Sequence, residues 1–185
     1  MPTQTRATPA ARSALDRFNA APPGEAVRTL LHCLHSPRWA RRVAAHRPYP
    51  DLPALLAAAD EAAYDLTGED LAEALAAETL PGLPEDIYAV AGTALRAAHA
   101  AYATKFGHVF VICLDGVPRS ETLDHALTAI RSRLANDPER EREVTAEELR
   151  RLARERLSHA VGARGTARPA TPHPNPANKT SPPPP

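Results

Sequence analysis

Only one stretch of this 185-residue chain has the character of a β-strand, His108-Val-Phe-Val-Ile-Cys-Leu114, and one strand cannot build a sheet. The stretch is therefore expected as an extended or short helical buried link. Everything around it is punctuated as helix. Ser13 caps a short segment through Asn19, which Pro22-Pro23-Gly24 ends. From Glu25, the apolar residues Val27, Leu30, Leu31 and Leu34 recur every three or four positions and form a helix face. Ser36-Pro37 supplies an N-cap and a first helical position, with Trp39 and Val43 on the next face. Asp51-Leu52-Pro53 starts another helix with Leu52, Leu55, Leu56, Ala59 and Ala63 inward, and Thr67 to Asp70 caps one that carries Leu71, Ala74 and Leu75. A long alanine-rich helix runs to about Phe106, with Ile87, Ala91, Leu95, Ala98 and Tyr102 on one face. Leu123, Leu127, Ile130 and Leu134 mark the next helix. Pro138 opens the last, with Val144, Leu149, Leu152 and Leu157. The expected fold class is all-α, a single-domain helical bundle.

Its limits follow from proline. Eight of the 20 prolines fall between Pro169 and Pro185, in a stretch with no aliphatic side chain larger than Ala. The folded domain is expected over 13–160, with a disordered segment at 1–12 and a disordered Pro-rich tail at 161–185. That tail reads either as a solvated end or as a polyproline segment for an aromatic groove.

Charge and cysteine content narrow the function. Twenty-two Lys and Arg balance 22 Asp and Glu, so the basic excess usual in a polyanion binder is missing. Two cysteines are too few for a disulfide framework, which points to a reducing compartment and a cytoplasmic location. No run approaches the ~18 apolar residues of a membrane span, and the first residues lack the apolar stretch of a signal peptide. Neither a nucleic-acid nor a membrane partner is expected.

Two clusters carry chemistry of their own. His32, Cys33 and His35 sit together, yet zinc takes four ligands and no second cluster supplies the rest, so packing or surface chemistry competes with metal binding and no metal is assigned. Residues 26–50 contain no acid but do contain Arg28, Arg38, Arg41, Arg42 and Arg47. Two helices joined at Ser36-Pro37 in such a stretch suggest a DNA-binding pair. The alternative is a solvated basic face matched by the acid-rich helices after Asp51.

The order of several short motifs adds a resemblance. FNAAPPGEAVRTLLHCLHSPRWARRVAAHRPYPDLPALLAAAD is followed by LAEALAA, then AHAAYATKFGHVFVICLDG, then RLANDPEREREVTAEELRRLARERL. Over about residues 15–160 the chain resembles the 2-oxo-4-hydroxy-4-carboxy-5-ureidoimidazoline (OHCU) decarboxylases of the urate-to-allantoin branch of purine breakdown. Phe18-Asn19 and Trp39 match N-terminal landmarks. Tyr102, Lys105, Phe106 and Gly107 match Tyr-x-x-Lys/Arg-Phe-Gly, and Leu134, Asn136 and Glu141 match Leu-x-Asn-x-x-x-x-Glu. The resemblance implies a helical bundle, usually a homodimer, with a small ureidoimidazoline substrate and neither metal nor organic cofactor.

It also implies a site, and here the chain departs from the pattern. The family's acid/base is a His in His-Pro-x-Ile-Gly after a helix like Glu73-Ala-Leu-Ala-Ala77. This chain has Glu78 at the His position and Thr79 at the Pro, and only Gly82 matches. The following Ser-x-x-Glu-Gln motif is missing: 16 residues (83 to 98) separate Gly82 from His99, which stands at the family's Asn position. Glu85 is the acid weighed as a substitute, without matching context. The implied catalytic residue is Glu78. The implied substrate-binding residues are the run Phe110, Val111, Ile112, Cys113 and Leu114, through its main chain, and Arg156, whose guanidinium is a rigid fork for oxygen-rich anions. For the 110–114 run the alternative is simple core, and for Arg156 a solvent-facing charge. For the chain as a whole it is a catalytically silent paralogue acting as a binding or dimerisation partner.

Overall fold

The structure, a computed structural model, describes residues 13–80 and 85–162, and the side chains of 85–91 lie outside that description. The described residues form eight helices: α1 (Ala14–Ala20), α2 (Pro23–Cys33), α3 (Pro37–Ala45), α4 (Leu52–Tyr64), α5 (Gly68–Ala77), α6 (Glu85–Phe106), α7 (Thr122–Arg133) and α8 (Pro138–Gly162). The fold is all-helical, as the punctuation predicts. Helix α8 runs two residues past the expected boundary at 160. The expectations for 1–12 and for the Pro-rich tail from 163 onward, and the inward placement of Ile87 and Ala91, fall outside the described residues.

The caps predicted from sequence are the ones found. The Ser13 and Thr67 side chains each accept from the main chain three residues on, and Asp16 and Asp70 return the bond in reciprocal capping boxes. Ser36 accepts from the Trp39 N–H at 3.3 Å, and Asp51 from the Ala54 N–H at 2.8 Å. Each satisfies one of the donors that a helix start leaves open, for about 1 kcal/mol.

Two apolar clusters hold the bundle. The larger joins α2, α3, α4 and α8 through Leu30, Trp39, Val43, Leu55, Leu149 and Leu157, all essentially buried. Trp39 anchors it, and its indole N–H donates to the Ala59 carbonyl at 2.9 Å. Each such side chain contributes about 1.5–3 kcal/mol by leaving water. The smaller cluster, Tyr102, Phe110, Ile112 and Ile130, lies between α6, α7 and the 108–114 segment. That segment has no regular structure and is buried over 110–113, which is the link expected from sequence. Gly107 turns the chain into it with φ +78°, a left-handed conformation that glycine alone adopts freely, with open space where a Cβ would stand.

Much of the basic stretch is answered by acids and carbonyls. Arg38 pairs with Asp70 at 3.4 Å, and Arg42 pairs with Asp65 and with Glu61 at 3.8 Å. Arg47 is spent inside the fold, donating to the carbonyls of Phe18 and Ala21 at 2.6 and 2.9 Å. Asn19 and Tyr49 exchange two hydrogen bonds of 2.8 and 2.9 Å, which fastens α1 to the loop after α3.

Candidate active site

Helix α5 stops at Ala77, and Glu78 follows in extended conformation with its N–H on the Leu75 carbonyl. This exit turns the Glu78 side chain inward, and it is only 8 % exposed. Arg156 reaches it from α8. Its two terminal nitrogens donate to the two Glu78 oxygens at 2.6 and 2.8 Å, and one also donates to the Cys33 carbonyl at the end of α2 at 3.1 Å. The Glu78 hydrogen bonds hold the Arg156 pKa above its ordinary value against the opposing effect of burial. The neighbouring Cys33 thiol is pushed up to about 11 by burial, with Arg156 pulling the other way, so it is no nucleophile at neutral pH.

The pair lies in a cleft of about 300 Å³ whose apolar wall is Val111, Ile112, Leu114 and Leu152. Glu155 lines the cleft as well. It accepts from the Cys113 thiol at 3.5 Å. The chain thus brings Glu78, the 111–114 wall and Arg156 together. Two site residues stand differently: the Phe110 ring packs in the smaller core cluster, and Cys113 is buried beside the cleft. Main-chain groups of the wall are partly engaged. The Val111 carbonyl accepts from Arg133 at 2.6 Å, and the Cys113 N–H donates to Glu148 at 2.7 Å. Among the described residues nothing hydrogen-bonds to the Ile112 main chain. Glu85 carries no side-chain description, and its proximity to the cleft lies outside the described residues.

The arrangement offers a carboxylate for proton transfer, a guanidinium fork and an apolar face with main-chain groups at its edge. The OHCU decarboxylase family model matches residues 19–86 and 87–158. The chain belongs to the OHCU decarboxylase family. No curated protein matches it. Among solved structures it is similar to a crystal structure of (S)-allantoin synthase, at 18% identity and a TM-score of 0.62 over 81% of this chain. The chain spans 54% of that protein's length. It is also similar to a crystal structure of OHCU decarboxylase in the presence of (S)-allantoin, at 20% identity and TM-score 0.57, covering 72% of this chain and 96% of the other.

The OHCU decarboxylase motifs of α6 and α8 meet in a buried network behind the cleft. Glu141, 1% exposed, accepts from the Tyr102 hydroxyl, from Arg133 Nε at 2.8 Å and from Asn136 at 2.7 Å. Arg133 also donates to Tyr102 Oη and Thr145 Oγ1, both at 3.0 Å, and its guanidinium lies 4.6 Å from the Phe110 ring centroid. Lys105 ties the network's edge by donating to the Leu134 and Asn136 carbonyls at 2.8 and 2.7 Å. Burial, with the Glu141 bond adding to it, pushes the Tyr102 hydroxyl up to about 12. Through Arg133 this network grips the Val111 carbonyl, so the motif residues position the cleft wall. Sequence reasoning missed Arg133. Its signal was phase: it falls on the buried face of α7 with Ala126 and Ile130. Glu155, next to Arg156, gave no signal.

Of the residues weighed for a metal, Cys33 is buried while His32 and His35 are exposed. No group of three or more His, Cys, Asp or Glu among the described residues is placed to hold a metal ion. No helix among them is long and apolar enough to cross a membrane.

Proposed function

We propose that the chain is a carboxy-lyase that converts 2-oxo-4-hydroxy-4-carboxy-5-ureidoimidazoline to (S)-allantoin in purine catabolism. The observation that carries this reading is the convergence of Glu78, the 111–114 wall and Arg156, from three distant segments, on one cleft. In the reaction the bond between the hydroxyl-bearing ring carbon and its carboxylate breaks, CO₂ leaves, and the electron pair passes toward the adjoining C=N bond, leaving an enol. Glu78 then delivers a proton to one face of the ureido-bearing carbon, as the enol oxygen becomes the ring carbonyl and its proton passes to the ring nitrogen, and recovers one from water. Arg156, released from Glu78, holds the oxygens of the anionic substrate in its fork, and the Ile112 main chain is left to bond the ureido group. No metal or organic cofactor enters this scheme.

One observation favours a second reading, the silent paralogue. The Arg156 fork is filled by Glu78, and two acids, Glu78 and Glu155, face a single cation in the cleft. The two readings separate in one experiment. The unstable substrate is made in situ from urate, and allantoin formation is followed by circular dichroism. Rapid formation of the (S) enantiomer, lost in Glu78→Ala, supports the decarboxylase. A rate equal to the uncatalysed decay supports the silent partner. A homodimer and a cytoplasmic location belong to the same proposal, on the family resemblance, and sedimentation velocity and cell fractionation test them.

A further inference from the structure

A second cavity, of about 260 Å³, lies between α5, the end of α6 and the first turns of α8, and shares no lining residue with the cleft. Its walls include the apolar Leu71 and Leu75 from α5 and Phe106 from α6, and the His108 ring lies 6.4 Å from that of Phe106 at 31°. Lys105 and Arg142 add two positive charges. Among the described residues the Lys105 ammonium meets only carbonyl oxygens and the Phe106 face, and Arg142 has no ion-pair partner. Glu141 also borders the space, but its charge is answered by Arg133 and its oxygens are taken by Tyr102 and Asn136 as well. The nearby Asp137 carboxylate accepts from the Glu139 and Arg140 N–H groups, so the start of α8 is satisfied within the chain and the site does not rest on it.

We infer that this cavity binds a small flat organic anion, an aromatic or heteroaromatic carboxylate. The ring lies against Leu71, Leu75 and Phe106, and the carboxylate meets Lys105 and Arg142. Two uncompensated cations over an apolar floor select an amphipathic anion, since a bare inorganic anion gains nothing from the floor and a neutral ring gains nothing from the charges. The volume lies just below the ~300–1,000 Å³ of drug-sized sites, which fits one ring system and excludes a nucleotide.

The test uses benzoate, its neutral isostere benzamide and inorganic phosphate as probes, by titration calorimetry on the full chain. Benzoate is expected to bind, more weakly as salt is raised, with benzamide and phosphate each at least about tenfold weaker, a difference of ~1.4 kcal/mol. Arg142→Glu, at an exposed position, should weaken benzoate at least about tenfold. Ala72→Phe, which places a ring in the cavity from an exposed site on α5, should abolish it. Arg156→Gln, which removes the cation of the other cleft, should leave it unchanged. Unchanged far-UV circular dichroism shows that each variant is folded. The inference is overturned by no saturable benzoate binding up to about 20 mM, by equal binding of benzamide or phosphate, or by benzoate binding that Arg142→Glu leaves intact. A change in sedimentation coefficient in either cavity variant also overturns it, making the cavity a contact between copies of the chain.

Discussion

Arg156 meets Glu78 fork on fork, through two hydrogen bonds of 2.6 and 2.8 Å between residues 78 positions apart. The contact ties the exit of α5 to α8 and, through the Cys33 carbonyl, to the end of α2. Removing the guanidinium leaves a carboxylate that is only 8 % exposed without its counter-charge. Arg156 itself is 36 % exposed, and water screens part of the loss. Arg156→Ala is therefore expected to destabilise the fold by about 1–2 kcal/mol, below the ~3–5 of a fully buried pair. Urea unfolding should show a lower midpoint with an unchanged slope.

Arg133 and Glu141 form the deeper pair, with both side chains buried. Glu141→Ala strands the guanidinium among Tyr102, Phe110 and Thr145 and should cost about 3–5 kcal/mol. Glu141→Gln keeps the shape and an acceptor and should cost less. Burial by itself would raise the Glu141 pKa, but hydrogen bonds from Arg133, Tyr102 and Asn136 outweigh it and hold the carboxyl below its ordinary value. A depressed folded-state pKa means stability that is full above the unfolded value, ~4.3, and lost as pH falls through the folded one. Acid unfolding of wild type should therefore steepen below about pH 4.3, and the Glu141→Gln curve should be shallower there. Thermal melts across that range check it.

His99 gives a pH dependence in a different window. It is 5% exposed and stacked on Phe110, and neither ring nitrogen has a hydrogen-bond partner among the described residues. Burial holds its pKa below the usual value, so the unfolded chain binds a proton that the folded chain refuses. Stability from this group is full above the unfolded pKa of ~6.5 and drains as pH falls below it. His99→Phe keeps the stacking and removes the unpaired nitrogens. The variant is expected to be at least as stable as wild type at pH 7.5 and to lose less stability on going to pH 5.5. A larger loss in the variant than in wild type would count against this account.

The sequence shows the parts of this molecule that local physics decides. Ser13, Ser36, Asp51 and Thr67 announce helix starts because a capping bond spans three residues, and the isolated apolar run at 108–114 announces a buried link because it has no strand to pair with. Partners set by tertiary packing are silent in it. Arg133 shares the phase of Ala126 and Ile130, but what it bonds to is visible only once Glu141 and the Val111 carbonyl are brought to it. Family resemblance placed Glu78 and Arg156 in one site, but that Glu78 closes the Arg156 fork is visible only once α5 and α8 are docked.

That closed fork makes a kinetic prediction. An anionic substrate must compete with the Glu78 carboxylate for the same donors, so part of its binding energy goes into parting an ion pair. Glu78→Gln removes the charge while keeping the size and one oxygen acceptor, and the substrate then meets a more open fork. The acid that protonates the ring carbon is lost in the same step. On the decarboxylase reading, KM should fall several-fold while kcat falls by about 10²–10⁴, the usual share of a general acid. Arg156→Gln should do the opposite to KM, since the competing carboxylate stays and the fork is gone. On the same reading Glu78→His should recover little, because the imidazole cannot reproduce the bidentate contact with Arg156. Initial rates of (S)-allantoin formation over a range of urate-derived substrate give both constants. A rise in KM for Glu78→Gln would show that the carboxylate helps to bind substrate and does not compete with it.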